Sequence, residues 1–558
     1  MIKEHFKNSF ATNIFRQKYA LTQSESWPQR ARMIVDDVCG TAQGTQHPIL
    51  SQDEQDLLVK YITELKFLPG GRYIYYAGRL ANFYNNCYLL RGEEDTREEW
   101  ASLCQRATSC LMTGGGIGVD YSVFRPEGYL LNRTGGTSSG PVPLMKMINE
   151  IGRNVMQGGS RRSAIYASLN WQHEDADQFL VSKDWHSMLI DPSTGFTVAD
   201  AKSANFNYPA QMDMTNISLN YDDDFLQELQ VDGLPETFLA NCRQALKTGE
   251  PGFSFNFGSK SDETLRNACT EVTSADDSDV CNLGSINMGA IESRGEFEIV
   301  TRLASKFLVC GTVRADLPYQ KVYDVREKNR RLGLGLMGVH EWLLQRGQRY
   351  EVTTELHEWL GTYEKASEAA ANEHCDRLYL SKPAAYRAIA PTGSIGILAG
   401  TTTGIEPLFA VAYKRRYLVE GTKWKYEYVV DSTAEQLIQG TGIDPGSIET
   451  ALDLSEDPER RIKFQADVQD YVDMSISSTI NLPAWGSEGN NESKVEDFAK
   501  VLAKYAPRLR GFTCYPDGSR GGQPLTVVPY EQAKKNKGTV FEEHDICDIS
   551  GKGGTCGV

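Results

Sequence analysis

From Leu68-Pro69-Gly70-Gly71-Arg72 to about residue 530 the chain keeps switching between short β-rich runs, glycine-rich turns and helical stretches. Ala164-Ile165-Tyr166-Ala167-Ser168-Leu169 reads as a strand, and Pro143-Leu144-Met145-Lys146-Met147-Ile148 begins a helix. Gly396-Ile397-Leu398-Ala399 reads as a strand or a helix start. Strands interleaved with helices over this length predict an α/β architecture. Residues 1 to about 66 carry helical spacing, as in Gln55-Asp56-Leu57-Leu58-Val59-Lys60-Tyr61-Ile62, and predict a helical N-terminal region. From about Glu531 the chain is Lys-, Gly- and Asp-rich, a composition that buries little and predicts a mobile tail. The expected organisation is therefore 1–66 helical, 67–530 α/β and 531–558 tail.

At 558 residues, 40% of them hydrophobic, the chain has enough apolar material for a large core. Its 58 basic and 74 acidic residues leave a net charge of -16, which argues against a nucleic-acid or anionic-membrane partner. A nucleotide substrate stays open, because Arg side chains and backbone N–H groups hold phosphate locally on an acidic protein. No apolar run is long enough to cross a membrane, and the opening Met1-Ile2-Lys3-Glu4-His5-Phe6 has no signal-peptide core, so a cytoplasmic protein is expected. In a reducing compartment most of the 12 cysteines should be inert buried thiols. Exceptions would be catalytic, redox-active or metal-binding.

One such exception is Asn267-Ala268-Cys269-Thr270-Glu271. In an extended or turn conformation, alternate side chains point the same way, so an amide, a thiol and a carboxylate face one pocket. That set suits radical or acid–base chemistry on a hydroxylated substrate. On its own the triplet is more often a structural thiol beside a carboxylate. Cys281-Asn282-Leu283-Gly284-Ser285-Ile286-Asn287 follows it, and Asn85-Asn86-Cys87-Tyr88 precedes it by far.

Together these segments resemble the catalytic region of ribonucleotide reductases, above all the adenosylcobalamin-dependent class II enzymes. The same order is kept by Gly70-Gly71-Arg72, Thr113 to Asp120, Ser138-Ser139-Gly140-Pro141-Val142, Gly158 to Ala164, Arg330 to Gly338, Pro391 to Ile395 and Asp517 to Pro524. The resemblance spans about 70–525 and implies a ten-stranded α/β barrel with a central finger loop. It implies that Cys269 is the thiyl radical taking the ribose 3′ hydrogen, Glu271 the base for the 3′-hydroxyl, and Asn267 the amide on the ribose hydroxyls. Cys87 and Cys281 would supply two electrons and end as a disulfide. Two thiols provide both the proton donor and the reductant that loss of a 2′-hydroxyl requires. A thiyl radical must be kept from water, so a deep site is expected.

Pro391, Thr392, Gly393, Ser394 and Ile395, with Asn86, would hold the substrate. From the residues alone this stretch is more often an ordinary N-capped helix than a phosphate cradle. Glu94, Asp95, Arg133, Arg161 and Arg162 would meet a deoxynucleotide effector. Cys547 and Cys556 would shuttle electrons from a thioredoxin- or glutaredoxin-type reductant; with His544 they make only three ligands, too few for a closed zinc site. No metal is expected.

Gly333-x-Gly335-x-x-Gly338 fits a dinucleotide fingerprint on paper, but a charged run precedes it rather than a strand, so it reads as close helix packing. The C-terminal tyrosines Tyr505, Tyr515 and Tyr530 are isolated, whereas a class I large subunit needs an adjacent pair there. Class II implies adenosylcobalamin as the radical source, and a homodimer without an activity domain is expected. The expected reaction is reduction of ribonucleoside diphosphates, with triphosphates as the other candidate. The competing readings are a class I catalytic subunit with a separate radical subunit, and a non-catalytic nucleotide-binding paralogue.

Overall fold

The computed structural model describes residues 5–41, 49–132, 135–155, 163–205, 208–420, 423–519 and 525–541. They fall into two compact units. The first takes in Met1–Asp184, Ala210–Leu408 and Ala451–Ser519; the second takes in Trp185–Pro209, Phe409–Thr450 and Arg520–Val558.

The first unit is built on a ten-stranded sheet. In chain order the strands are β1 (Phe67–Pro69), β2 (Cys87–Arg91), β3 (Gly116–Asp120), β4 (Ile165–Asn170), β5 (Thr215–Tyr221), β6 (Gly252–Phe255), β7 (Asp279–Asn287), β8 (Leu332–Met337), β9 (Thr479–Leu482) and β10 (Gly511–Pro516). β2 to β6 pair in sequence order and run parallel. β6 meets β10 antiparallel, and β10 runs parallel to β9. At the other end β7 meets β2 antiparallel and runs parallel to β8.

Main-chain bonds then carry the ladder onward from β8. Leu334 N donates to Tyr386 O at 3.2 Å, Ala388 N to Leu334 O at 3.1 Å, and Ile389 N to Ser475 O at 3.2 Å. Ser477 N returns a bond to Ile389 O at 2.8 Å, just before β9 begins. Both bridges, Leu334 with Arg387 and Ile389 with Ile476, are parallel. The hydrogen-bonded path thus returns to its start, as two parallel halves joined by two antiparallel seams. Closure gives each strand of this path a neighbour on both sides, while β1 pairs with β7 alone. The strands are buried on both faces, which is why they read as short apolar runs rather than clean alternation.

The interior of the ring is occupied by a hairpin, Leu265–Arg266 paired with Thr273–Ser274. It touches the wall on several sides. Asn216 on β5 donates to Ala268 O at 3.1 Å, Ser475 N to Glu271 O at 2.8 Å, and Arg266 reaches Arg510 O at 2.9 Å beside β10. Against β3 the fit is so close that a Cβ on Gly118 would lie 1.6 Å from Arg266 O. A glycine inside a strand often marks such an approach.

Helices Ser9–Lys18, Trp27–Cys39 and Gln52–Thr63 form the N-terminal region, as its spacing predicts. Phe6, Phe15 and Trp27 share one core with Ile286, Leu336 and Leu398 of the ring side. The second unit carries a four-stranded sheet built on Ala412–Glu420 and Lys423–Val430, flanked by Leu525–Val527 and Val540–Phe541. Helix Tyr530–Lys535 buries Ala533 against Ala412 and Val430, so the segment expected to be tail begins with ordered elements. Among the described residues, no helix is long and apolar enough to cross a membrane.

The glycine string at 333–338 is corrected by the structure. It is β8 itself, with all six residues Leu332–Met337 buried, not a helix-packing site. Its glycines face neighbouring strands: a Cβ on Gly335 would meet Ala388 O at 2.6 Å. Gly338, at φ +70°, turns the chain into helix Val339–Gln345.

Candidate active site

The hairpin tip holds Asn267, Cys269 and Glu271 by local bonds. Asn267 Oδ1 accepts from Val272 N at 2.9 Å, and Thr270 N donates to Asn267 O at 2.9 Å. Thr270 sits at φ +70°, a costly conformation for a β-branched residue and the kind of strain that gathers at functional sites.

A cavity of about 360 Å³ opens at this tip. Asn86, Cys87, Asn267, Cys269, Glu271 and the whole run Pro391–Ile395 line it. Residues separated by as much as three hundred positions in sequence are thereby brought to one wall. Cys281 is fully buried behind it, opposite Cys87 in the β2–β7 ladder. Cys269 is exposed and lines the cavity, because it stands on the turn of the hairpin rather than on its flanks.

Asn267 Nδ2 lies 2.9 Å from Cys87 Sγ, and Cys87 Sγ lies 4.0 Å from Glu271 Oε1. Burial pushes the Glu271 carboxyl up to about 7, against a hydrogen bond from Asn267 that works the other way. Glu271 Oε2 has no hydrogen-bond partner among the described residues. A buried carboxyl with an idle oxygen beside a cavity is suited to exchange a proton with a ligand near neutral pH. The Cys87 and Cys281 thiols are both driven up, first by burial and then by neighbouring carboxylates, Glu271 for Cys87 and Asp279 for Cys281. They are held as thiols, the form that carries both protons and electrons.

Thr392, at φ +52°, precedes helix Gly393–Ala399, which resolves the strand-or-helix choice for 396–399. Its Oγ1 accepts from Gly404 N at 2.8 Å, and its carbonyl accepts from Gly396 N at 2.7 Å. A Cβ on Gly393 would meet nothing within 4 Å, so the backbone there faces open space. Beside Cys269 the wall is made of small residues: a Cβ on Gly116 would lie 3.2 Å from both Ala164 O and Ala268 Cβ.

The effector candidates are not in this cavity. Glu94 is exposed beyond the end of β2, and Asp95 pairs with Arg125 at 2.5 Å. Arg133, Arg161, Arg162, Cys547 and Cys556 lie outside the described residues. Sequence reasoning missed Gly118, which makes room for the hairpin, and Gly333, where a Cβ would meet Cys281 Sγ at 3.0 Å. Glycines inside strand patterns were the available signal for both.

A cavity thiol, a proton-exchanging carboxyl and an opposed cysteine pair make the donor set of a thiol-based oxidoreductase. The family described as ribonucleotide reductase, barrel domain, matches residues 85–248, 243–358 and 383–513, and the chain belongs to it. It is similar to a Mycobacterium tuberculosis protein named vitamin B12-dependent ribonucleoside-diphosphate reductase, at 26% identity over 94% of this chain and 80% of that protein. A Thermoplasma acidophilum protein of the same name is 26% identical over 86% of this chain and 67% of its own length. A Mycobacterium phage D29 protein, named for adenosylcobalamin-dependent ribonucleoside-triphosphate reduction, is 27% identical over 83% of this chain and 74% of its own.

Proposed function

We propose that this chain reduces ribonucleoside diphosphates to 2′-deoxyribonucleotides by thiyl-radical chemistry, with adenosylcobalamin as the radical source. The observation that carries this reading is the convergence of Asn86, Cys87, Asn267, Cys269, Glu271 and Pro391–Ile395 on one cavity, with Cys281 opposite Cys87. The diphosphate is preferred because two of the relatives are named for it.

Cys269, exposed at the tip, takes the ribose 3′ hydrogen. Glu271 accepts the 3′-hydroxyl proton on its idle oxygen, and Asn267 orients the ribose hydroxyls. Cys87 and Cys281 give up two protons and two electrons, the 2′-hydroxyl leaves as water, and one S–S bond forms. Thr392, Gly393 and Ser394 hold the diphosphate with hydroxyls and backbone N–H groups, flanked by Pro391 and Ile395, while Asn86 contacts the nucleotide from the facing wall.

Adenosylcobalamin, when bound, supplies the radical chemistry that activates the Cys269 thiol. The residues fit such a group: Cys269 is exposed to the cavity, and the small residues Gly116, Ala164 and Ala268, closely packed against one another, line it on the same side, so they would form a floor for the adenosyl part. A deoxynucleotide effector at Glu94, Asp95, Arg133, Arg161 and Arg162, a homodimer, and re-reduction through Cys547 and Cys556 by a thioredoxin- or glutaredoxin-type protein complete the reading.

The deciding experiment incubates the full chain with ribonucleoside diphosphate, a dithiol and adenosylcobalamin. Turnover is expected with the cofactor alone, and Cys269→Ala should abolish it while nucleotide binding survives. Turnover only on addition of a separate radical subunit would overturn the class II assignment.

A further inference from the structure

The segment Arg330-Arg331-Leu332-Gly333 does not line the cavity, yet its Gly333 backs directly onto Cys281. Arg331, 5% exposed, spans two elements. Its Nε donates to Asp279 Oδ2 at 2.8 Å, and its Nη1 and Nη2 both reach Glu263 Oε1 at 3.3 Å. Asp279 opens β7, two residues before Cys281. Glu263 stands at the root of the hairpin that carries Cys269.

Other bonds join the same two places. Thr273 Oγ1 donates to Glu263 Oε2 at 2.7 Å, and Ser274 Oγ to Asp279 Oδ2 at 2.6 Å. Arg510 adds a bond to Glu263 Oε2 at 3.0 Å, and Asn329 one to Asp279 Oδ2 at 2.9 Å. Burial alone would raise Glu263, but Arg331 and Arg510 hold it at about 2, so it stays a carboxylate. Two residues along from Arg331, a Cβ on Gly333 would lie 2.3 Å from Leu283 Cδ2 and 3.0 Å from Cys281 Sγ.

We propose that Arg331 and Gly333 are positioning residues for the reducing pair: the guanidinium fixes the start of the Cys281 strand to the root of the Cys269 hairpin, and the bare Cα of Gly333 leaves the slot in which the Cys281 sulfur stands opposite Cys87. This rests on the reading of Cys87 and Cys281 as the reductants. The geometry matters because a disulfide forms only within narrow limits of separation and torsion, and small misplacements at a reacting centre cost large factors in rate. Arg331 also acts electrostatically. The charged and titratable groups facing Cys281 are Asp279, Glu271, Asp473, Arg331 and the Cys87 thiol. Burial, Asp279, Glu271 and Asp473 all raise its thiol, whereas Arg331 lowers it.

The test uses the full chain as wild type, Arg331→Lys, Arg331→Met and Gly333→Ala. The first readout needs no nucleotide: the rate at which diamide oxidises the two thiols to the Cys87–Cys281 disulfide, itself passing from diazene to hydrazine, followed against pH by peptide mapping. Arg331→Lys keeps a cation for Asp279 but cannot span to Glu263. It and Gly333→Ala are expected to slow disulfide formation roughly tenfold or more. Arg331→Met should in addition move the pH midpoint of that rate upward, whereas Gly333→Ala should not. With nucleotide, kcat should fall in step while KM stays within about twofold. Folded variants that form the disulfide at the wild-type rate would overturn the proposal. Should Arg331→Met not fold, the other two variants decide. Turnover by Cys281→Ser would instead sink the reductant reading, leaving the nucleotide-free result to stand on its own.

Discussion

Cys87 and Cys281 are direct cross-strand partners in the antiparallel seam between β2 and β7. Opposed residues in an antiparallel pair place their side chains on one face with Cα atoms about 4.5–5.5 Å apart, within the roughly 4.4–6.8 Å Cα separation that a disulfide spans. The two are not equivalent. Cys87 lines the cavity and approaches Glu271, whereas Cys281 is sealed behind it. On the proposed reading, Cys87 meets the nucleotide and Cys281 closes the disulfide from behind.

That asymmetry sets the first expectation. Pre-reduced protein in which Cys547 and Cys556 are both replaced by serine, without external dithiol, should make about one product per active chain and should then yield a Cys87–Cys281 cross-linked peptide on mass spectrometry. Cys281→Ser should leave nucleotide binding intact and lower product to roughly a hundredth or less, because no second thiol can release the first. Product formed without the cross-link would exclude the pair as reductant.

Glu271 gives an expectation with a sign. Its carboxyl is raised to about 7 by burial, from an ordinary value of 4.5. As a base it must be ionised, so kcat/KM should climb with pH to a plateau above about 7, and the limb should vanish in Glu271→Gln with a loss of roughly 10²–10⁴ in rate. Stability runs the other way. The folded state holds the proton that the unfolded chain releases between 4.5 and about 7, so this group favours the fold below that window and disfavours it above. Glu271→Gln should therefore raise the melting temperature at pH 8, by a free energy of at most about 3 kcal/mol, and leave it unchanged at pH 4. Equal effects at both pH values would refute the raised carboxyl.

The grouping of residues at the candidate site was partly legible in the sequence. Asn267, Cys269 and Glu271 are neighbours on one turn, so local geometry suffices to bring them together. Pro391–Ile395 entered only through the resemblance, since the residues alone read as an ordinary N-capped helix. What sequence could not supply is which distant elements abut. Gly333 and Gly335 looked like a helix contact because the charged run before them hid a strand, yet Arg331 in that run is a buried cation paired with Asp279 and Glu263. A local pattern cannot tell a solvated arginine from one whose carboxylates come from other strands.

Gly118 tests the fit of the hairpin within the ring. A Cβ there would fall 1.6 Å from Arg266 O, a backbone atom that cannot swing aside. Arg266 is itself anchored, to Asn256 Oδ1 at 2.8 Å and Arg510 O at 2.9 Å. Gly118→Ala must shift either β3 or the hairpin, at a cost of about 1–3 kcal/mol or more. Since Asn267 adjoins Arg266, activity should fall much further than stability. Calorimetry beside a turnover assay checks this; near-normal turnover would show that the hairpin is not held where the structure places it.

Thr392 separates strain from binding. At φ +52° a threonine pays for its conformation, roughly 1–2 kcal/mol, and only glycine escapes that cost. Its Oγ1 also accepts from Gly404 N at 2.8 Å, a buried bond worth about 1 kcal/mol. Thr392→Ala loses the bond and keeps the strain. Thr392→Gly loses the bond but relieves the strain, offset in part by the entropy of a more flexible unfolded chain, about 0.5–1 kcal/mol. Glycine should therefore be the more stable of the two variants, the reverse of the usual order where φ is negative. Both remove the hydroxyl from the diphosphate cradle, so both should raise KM for nucleotide with a smaller change in kcat. If alanine proves the more stable, the positive φ is not held in solution; if KM is unmoved in both, the Thr392 hydroxyl does not contact the substrate.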